Sequence, residues 1–189
     1  MKKVIIIAEA GVNHNGDILI AKKLIDAACY AKADYVKFQS FKADKLVSPI
    51  AKKAEYQSKN IGNNDDFQYN MLKKLELSDE DHIELISYCR KKDIKFLSTA
   101  FDADGVQYLN SLKLDRFKIP SGELTNFPYL KEVAKTNLPV ILSTGMASLE
   151  EVRDSINVLI KHGTNKDNLT ILHCNTDYPT SMSDVNLNA

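Results

Sequence analysis

The chain has 189 residues, and its 26% charged and 44% hydrophobic residues are typical of a folded globular protein, which excludes a disordered chain. Its 25 Lys and Arg residues are balanced by 25 Asp and Glu residues, so no overall charge would attract nucleic acid or an anionic membrane. The apolar run that begins at Val4 is broken by Glu9, far short of the roughly 20 residues that a membrane-spanning helix needs. We therefore expect a cytoplasmic protein with neither nucleic-acid nor membrane partners.

Short apolar runs alternate with helical patterns along the chain. Strands are predicted at six places, residues 4–8, 35–39, 94–100, 116–121, 139–144 and 169–175. The helices between them are predicted to begin at residues that cap or open a first turn, namely Asp17, Ser78, Asp102, Pro128 and Ser148. The β-branched run at 4–8 is predicted to be buried on both faces. Residues 40–77 show little regular pattern, and loops of that length often carry function.

The repeated strand–helix alternation predicts an α/β fold with a parallel sheet in a single domain. Two architectures fit this pattern, a doubly wound open sheet and a (β/α)8 TIM-type barrel. The G-x-G-x-x-G sequence that would favour the open sheet does not occur. A complete barrel needs about 250 residues, so a barrel of this length would be incomplete, with about six βα units present.

Polar side chains lie at or after the end of each predicted strand. The chemically informative ones are Glu9, Lys37, Gln39, Thr99, Lys118, Ser121, Glu123 and Ser143. Because the carboxyl ends of parallel strands meet at one face, two lysines and several hydroxyls there predict an anion site, for which phosphate is a fitting ligand. Two alternatives stay open: Lys37 at a sheet edge, reaching solvent, and the two glutamates as salt-bridge partners rather than acid–base groups.

The remaining histidines and cysteines have simpler interpretations. His14 lies in an Asn-His-Asn-Gly segment that turn chemistry explains, and His82 and His162 are expected on helix surfaces. The three cysteines Cys29, Cys89 and Cys174 are far apart and form no C-x-x-C motif, which argues against a disulfide framework or a zinc site. Cys174 is expected in the core.

Several motifs resemble the sialic acid synthase family, in order along the whole chain. They are AEAGVNHNG at 8–16, VKFQ at 36–39, LST at 97–99, FKIPSGE at 117–123, LSTGM at 142–146, HC at 173–174 and YPT at 178–180. The segments at 42–46 and 53–57 look most like the bacterial N-acetylneuraminate branch. The legionaminate branch is close behind, and the pseudaminate branch is more distant.

The resemblance implies a (β/α)8 barrel followed by a C-terminal antifreeze-like domain, working as a domain-swapped homodimer. The implied transferase reaction, a step of carbohydrate biosynthesis, condenses phosphoenolpyruvate with an open-chain N-acetylated hexosamine, N-acetylmannosamine in the neuraminate branch. A divalent metal, Mn²⁺ or Mg²⁺, would polarise the sugar aldehyde. The enol carbon attacks that aldehyde, water adds to the resulting cation, and phosphate leaves with carbon–oxygen cleavage.

The resemblance also implies roles for individual residues. Phosphoenolpyruvate would be held by Lys37, Thr99, Lys118, Ser121 and Ser143. The sugar and its aldehyde would lie near Glu9, Gln39, Glu123 and Tyr178, with the two glutamates as the candidate catalytic residues. Thr176 stands where the family can carry an asparagine that contacts phosphoenolpyruvate.

The family's two metal-binding histidines would lie beyond Ala189, so none of residues 1–189 is predicted to bind the metal. The last two barrel strands and the antifreeze-like domain would lie there too. Residues 1–189 are therefore interpreted as the N-terminal portion of the enzyme and are expected to be inactive alone. Two other hypotheses stay open, a Schiff-base aldolase with Lys37 or Lys118 as nucleophile, and an inactive anion-binding barrel fragment.

Overall fold

The structure, a computed structural model, describes residues 4–48, 68–177 and 179–188. In that part of the chain the strands are β1 Ile7–Gly11, β2 Tyr35–Ser40, β3 Lys95–Ala100, β4 Phe117–Ile119, β5 Val140–Ser143 and β6 Leu169–Leu172. The α-helices are α1 Ile18–Tyr30, α2 Ala43–Leu46, α3 Gln68–Lys73, α4 Asp79–Lys91, α5 Ala103–Ser111, α6 Phe127–Lys135 and α7 Leu149–Lys161. Within the described residues, these strands form two three-stranded sheets, ordered β1-β2-β3 and β4-β5-β6.

The alternation of strands and helices confirms the predicted α/β class. Strand β1 pairs in parallel with β2, and β5 pairs in parallel with both β4 and β6. Closure into a (β/α)8 barrel stays a prediction, because these pairs establish only the ladder within each sheet. The chain divides into two compact units, Met1–Leu97 and Ser98–Ala189. Across the residues that the structure describes, every helix is too short or too polar to cross a bilayer.

The first strand begins three residues later than predicted. Val4, Ile5 and Ile6 are 75%, 46% and 53% exposed, so the expectation that this run is buried on both faces was wrong. Strand β1 starts at Ile7 because its partner β2 starts at Tyr35, and the parallel ladder joins those two residues first. The ladder is interrupted by a bulge between Glu9 and Gly11, where Gly11 adopts a φ of +54°.

The core of the first unit lies between its sheet and two helices. The rings of Phe38 and Phe96 stack with centroids 5.5 Å apart, and Ile25 of α1 and Leu85 of α4 are fully buried. The predicted helix starts are confirmed. The Asp17 carboxylate accepts hydrogen bonds from Leu19 and Ile20, and Ser78 and Asp81 form a reciprocal capping box. The irregular segment predicted at 40–77 contains α2 and α3, and residues 49–67 lie outside the described residues.

The second unit is built in the same way. Asp102 caps α5, Ser148 and Glu151 form the predicted capping box of α7, and Pro128 lies in the first turn of α6. The buried Tyr129 hydroxyl donates to the carbonyl oxygen of Ala100 at 3.0 Å. Strand β6, predicted to reach residue 175, ends at Leu172. It is the last strand of its sheet, and Ile171 is 41% exposed.

The turn before α1 depends on a glycine. Gly16 has a φ of +77°, and a Cβ added there would lie 2.2 Å from the carbonyl oxygen of Lys74. We expect Gly16→Ala in the complete protein to lower the free energy of unfolding by about 2–4 kcal/mol, because backbone strain and overpacking add. The measurement is the urea midpoint. Gly122→Ala is the matched control, since its Cβ would meet no atom within 4 Å. Equal midpoints for the two variants would contradict this account.

Candidate functional site

An ion pair joins β1 to β2 in the first sheet, two residues before the end of β1. The Lys37 Nζ is 2.5 Å from Glu9 Oε2, and the Lys37 side chain is only 8% exposed, whereas that of Glu9 is 55% exposed. The parallel register causes this contact, since Glu9 and Lys37 are direct neighbours across β1 and β2. An ammonium group buried this deeply is costly unless an anion accompanies it.

Two features of the predicted site follow from this geometry. Lys37 lies in the middle strand of its sheet, so the alternative of an edge lysine that reaches solvent was wrong. Glu9 is its salt-bridge partner, one of the two roles considered for that residue. A Cβ added to Gly11 would lie 3.4 Å from Glu9 Oε1 and 3.8 Å from Gln39 Nε2. The structure therefore brings Glu9, Lys37 and Gln39 together around the bulge.

Sequence reasoning missed two buried histidines in this unit. His82 is 2% exposed rather than on the helix surface, because its ring packs edge-on against Phe96 and is hydrogen-bonded at both nitrogens. Its Nδ1–H donates to the carbonyl oxygen of Ser78 at 2.7 Å, so Nε2 accepts from the Ser40 hydroxyl at 2.6 Å. His14 is fully buried as well. Burial lowers the pKa of both rings below the usual value, which keeps them neutral near pH 7.

A second polar cluster lies in the second unit, after β4, β5 and β6. The Gly145 N–H donates to Ser121 Oγ at 2.9 Å, and the Thr144 hydroxyl donates to the carbonyl oxygen of Leu172 at 2.7 Å. A Cβ on Gly145 would lie 2.9 Å from Thr176 Cγ2 and 3.0 Å from Ser121 Oγ. Ser121 Oγ accepts the Gly145 backbone hydrogen, so the hydrogen of the Ser121 hydroxyl is not used in that bond. The hydroxyl can therefore donate to an anionic ligand.

The other predicted residues are placed as follows. Thr99 and Ser143 are buried, and Lys118 is half-buried beside Ile141 in the parallel ladder of β4 and β5. The Glu123 carboxylate accepts from the side-chain amide of Asn126 at 2.7 Å, which ties it to the start of α6. Tyr178 lies outside the described residues. The structure thus groups Glu9, Lys37 and Gln39 in one unit and Ser121, Gly145 and Thr176 in the other.

The described residues do not fit a metal ion by themselves. Across 4–48, 68–177 and 179–188, no three His, Cys, Asp or Glu side chains lie close enough to share one. The location of the metal ligands beyond Ala189 therefore stays a prediction, and we derive no step through a metal.

Comparison with known sequences identifies one family. A family model described as the NeuB family matches residues 24–189. The N,N'-diacetyllegionaminic acid synthase of Campylobacter jejuni is 56% identical over 189 residues, which is 100% of this chain and 56% of that protein. The synthase of the same name from Legionella pneumophila is 52% identical over 186 residues, which is 97% of this chain and 52% of that protein.

Solved structures show the same likeness. The N-acetylneuraminic acid synthetase of Leptospira borgpetersenii, crystallised with citrate, superposes with a TM-score of 0.83 at 31% identity. That match covers 98% of this chain and 59% of the Leptospira chain. The chain spans about half the length of the curated relatives it matches.

The ion pair generates a stability prediction. We expect Glu9→Gln in the complete protein to lower the free energy of unfolding by on the order of 1 kcal/mol, because the buried Lys37 ammonium loses its carboxylate. Glu132→Gln is the matched control. It breaks the helical pair between Glu132 Oε1 and Lys135 Nζ, also 2.5 Å long, whose lysine side chain is 62% exposed, and it should change little. Chemical denaturation measures both, and a larger loss for the control would refute the assignment.

Proposed function

This chain belongs to the NeuB family, and on that premise we propose that the protein condenses phosphoenolpyruvate with an N-acetylated hexosamine to a nine-carbon 2-keto acid, releasing phosphate. The observation that supports this most directly is the buried Lys37 ammonium beside the half-exposed Glu9 carboxylate. Such a pair offers a cationic donor to an anionic substrate and an acceptor to a hydroxylated one.

We propose Lys37 and four further residues as phosphoenolpyruvate ligands, as the family resemblance implies. A phosphate ester and a carboxylate both require charged donors with several hydroxyl or backbone N–H groups around them. We assign this role to Lys37, Thr99, Lys118, Ser121 and Ser143. The Gly145 N–H bond to Ser121 Oγ supports it, since it leaves that hydroxyl able to donate. The citrate in the Leptospira structure shows that this relative accommodates a small polyanion.

We assign the acceptor sugar to Glu9, Gln39, Glu123 and Tyr178. The Glu9 carboxylate and the Gln39 amide lie over Gly11 and offer complementary hydrogen-bonding groups to sugar hydroxyls. The enol carbon of phosphoenolpyruvate bonds to the aldehyde carbon, and the aldehyde oxygen gains a proton. Water then adds to the phosphate-bearing carbon and loses a proton, and cleavage of the carbon–oxygen bond releases phosphate. Glu9 and Glu123 are the candidate proton donors and acceptors.

The names of two relatives bear on the acceptor. The Campylobacter jejuni and Legionella pneumophila relatives are both named as synthases of a product with two N-acetyl groups. Condensation adds three carbons and touches no nitrogen, so such an acceptor must already carry both acetamido groups. The relative named for N-acetylneuraminic acid is 31% identical. We therefore propose a diacetamido hexose as the first acceptor to test and N-acetylmannosamine as the second.

The remaining properties of the complete enzyme are also proposals. A Mn²⁺ or Mg²⁺ requirement, a homodimer and a C-terminal antifreeze-like domain follow from the family resemblance. Because the chain spans about half of its relatives, activity is expected from the complete protein and not from residues 1–189 alone. The experiments below therefore use the complete protein.

The first functional prediction concerns Lys118. We expect Lys118→Ala to lower kcat/KM for phosphoenolpyruvate by roughly 10- to 150-fold, equivalent to about 1.5–3 kcal/mol for a lost charge-assisted contact. Lys37→Ala should act in the same direction, while the KM for the aminosugar changes much less. Phosphate release with each substrate varied in turn measures both effects.

Lys131→Ala on the exposed face of α6 is the matched control and should leave both constants unchanged. Equal losses for the two substrates in Lys118→Ala would place this lysine outside the phosphate pocket. Absence of phosphate release by the unaltered protein with both acceptors and added manganese would reject the proposed function itself.

The second functional prediction separates condensation from an aldolase. An aldolase lysine attacks pyruvate with a free lone pair and forms an imine, whereas the Lys37 Nζ is engaged with a carboxylate at 2.5 Å. We expect borohydride added with pyruvate to trap no adduct, as judged by intact mass and peptide mapping. A stable mass increase on Lys37 or Lys118 would favour the aldolase and overturn the condensation mechanism.

A further inference from the structure

The His14 ring is built into the β1–α1 loop, residues 12–17. Its Nδ1 accepts a hydrogen bond from the Gly16 N–H at 3.0 Å. An accepting nitrogen carries no proton, so the neutral ring holds its proton on Nε2. Nε2 is buried and has no hydrogen-bond partner among the residues that the structure describes. Turn chemistry was the role predicted for the Asn-His-Asn-Gly segment. It does not explain why the His14 ring is fully buried and holds its proton on Nε2.

The loop is a series of tight turns that the ring closes. Backbone bonds run from Asn13 N–H to the carbonyl oxygen of Ala10, from Asn15 N–H to that of Val12, and from Asp17 N–H to that of His14. The N–H of Gly16 falls between these bonds and is satisfied by the His14 side chain. The loop also passes close to the carbonyl oxygen of Lys74 at Gly16, where an added Cβ would lie 2.2 Å from that oxygen.

The surroundings of the ring disfavour a positive charge. Two residues of α4 act on the charge of the His14 ring: Asp81 favours its protonation and His82 opposes it. The centroid of the Phe38 ring, on β2, lies 6.1 Å from that of the His14 ring. Within its own loop, the Asp17 carboxylate is engaged in capping α1. Burial is the largest influence and lowers the pKa of His14 below the usual value of about 6.5. The ring is therefore neutral at pH 7, and it gains a proton only in more acidic solution.

Protonation would break the loop's closing bond. A proton on Nδ1 turns that nitrogen into a donor facing the Gly16 N–H, so two donors oppose each other in a buried place. The loop begins directly after Gly11, over which the Glu9 carboxylate and the Gln39 amide lie. A change in the loop is thus transmitted to the groups assigned to the aminosugar.

We propose that His14 is a positioning residue for the aminosugar: its neutral ring fixes the shape of the β1–α1 loop, this loop holds the preceding Gly11 beside Glu9 and Gln39, and protonation of Nδ1 releases that shape. The proposal rests on the proposed function for the roles of Glu9 and Gln39. It assigns His14 no contact with the reacting atoms.

The test compares His14→Asn with His14→Leu in the complete enzyme. An asparagine Oδ1 can accept from the Gly16 N–H but does not titrate, whereas leucine keeps the bulk and removes the acceptor. We expect wild-type kcat/KM for the aminosugar to fall in acidic solution, at a pH lower than the one at which an ordinary histidine titrates, because burial lowers the pKa of His14. His14→Asn should lose that acidic decline, and His14→Leu should lower the same constant about tenfold at every pH, with the KM for phosphoenolpyruvate nearly unchanged.

His82→Gln is the control for the neighbouring histidine, because glutamine Oε1 can replace Nε2 as the acceptor for Ser40. It should retain the acidic decline. A decline that persists in His14→Asn, or one that disappears in His82→Gln, would overturn the proposal. So would equal effects of His14→Leu on both substrates.

A nitrogen-15 measurement of the histidine ring tests the geometry without activity. We expect the His14 Nδ1 resonance of the unaltered protein to show an unprotonated nitrogen at pH 8 and to change only in acidic solution, at a pH below the usual histidine pKa. A protonated Nδ1 at pH 8 would overturn the inference even in an active enzyme. Failure of synthase activity with both acceptors would instead reject the proposed function, and the ring tautomer would still be decided.

Discussion

The burial of the Lys37 charge is the constraint on which the first unit depends. A central strand offers no solvent to an ammonium group, so a carboxylate must be placed beside it. The parallel register does this by pairing Glu9 with Lys37 across β1 and β2. The pair lies two residues before the end of β1, toward the side of the sheet on which parallel α/β folds bind ligands.

A bulge follows Glu9 in β1. The register shifts between Glu9 and Gly11, Gly11 still pairs with Phe38, and β1 ends there. Bulges of this kind often occur next to binding sites because they redirect a side chain. The Glu9 side chain is 55% exposed, whereas that of its lysine partner is 8% exposed. The bulge therefore lies next to the exposed member of the ion pair.

The sequence predicted the features that depend on neighbouring residues. The caps at Asp17, Ser78, Asp102 and Ser148 were correct because capping joins residues two or three positions apart. The α/β class followed from alternation, and the polar strand ends followed from period-two patterning. The start of β1 was missed because only its partner β2 determines where pairing begins.

Burial of His82 could not be predicted for a related reason. It lies in the first turn of an amphipathic helix, a usual place for a solvated polar residue, and its second hydrogen bond goes to Ser40, 42 residues earlier. For His14 a local signal did exist. Histidine followed two residues later by glycine allows the ring Nδ1 to accept from that glycine's N–H, as observed.

The two polar clusters also differ in whether local patterning or tertiary packing brings their residues together. Glu9 and Lys37 are joined by strand register, so sequence patterning could place them near each other. Ser121, Gly145 and Thr176 are joined by a backbone bond and by the absence of a side chain at Gly145. Only tertiary packing brings Ser121 Oγ and Thr176 Cγ2 to 3.0 and 2.9 Å from the Gly145 Cβ position, and a methyl group there would displace one of these two groups. The glycine is therefore part of how this unit orients the Ser121 hydroxyl, although it contributes no functional group of its own.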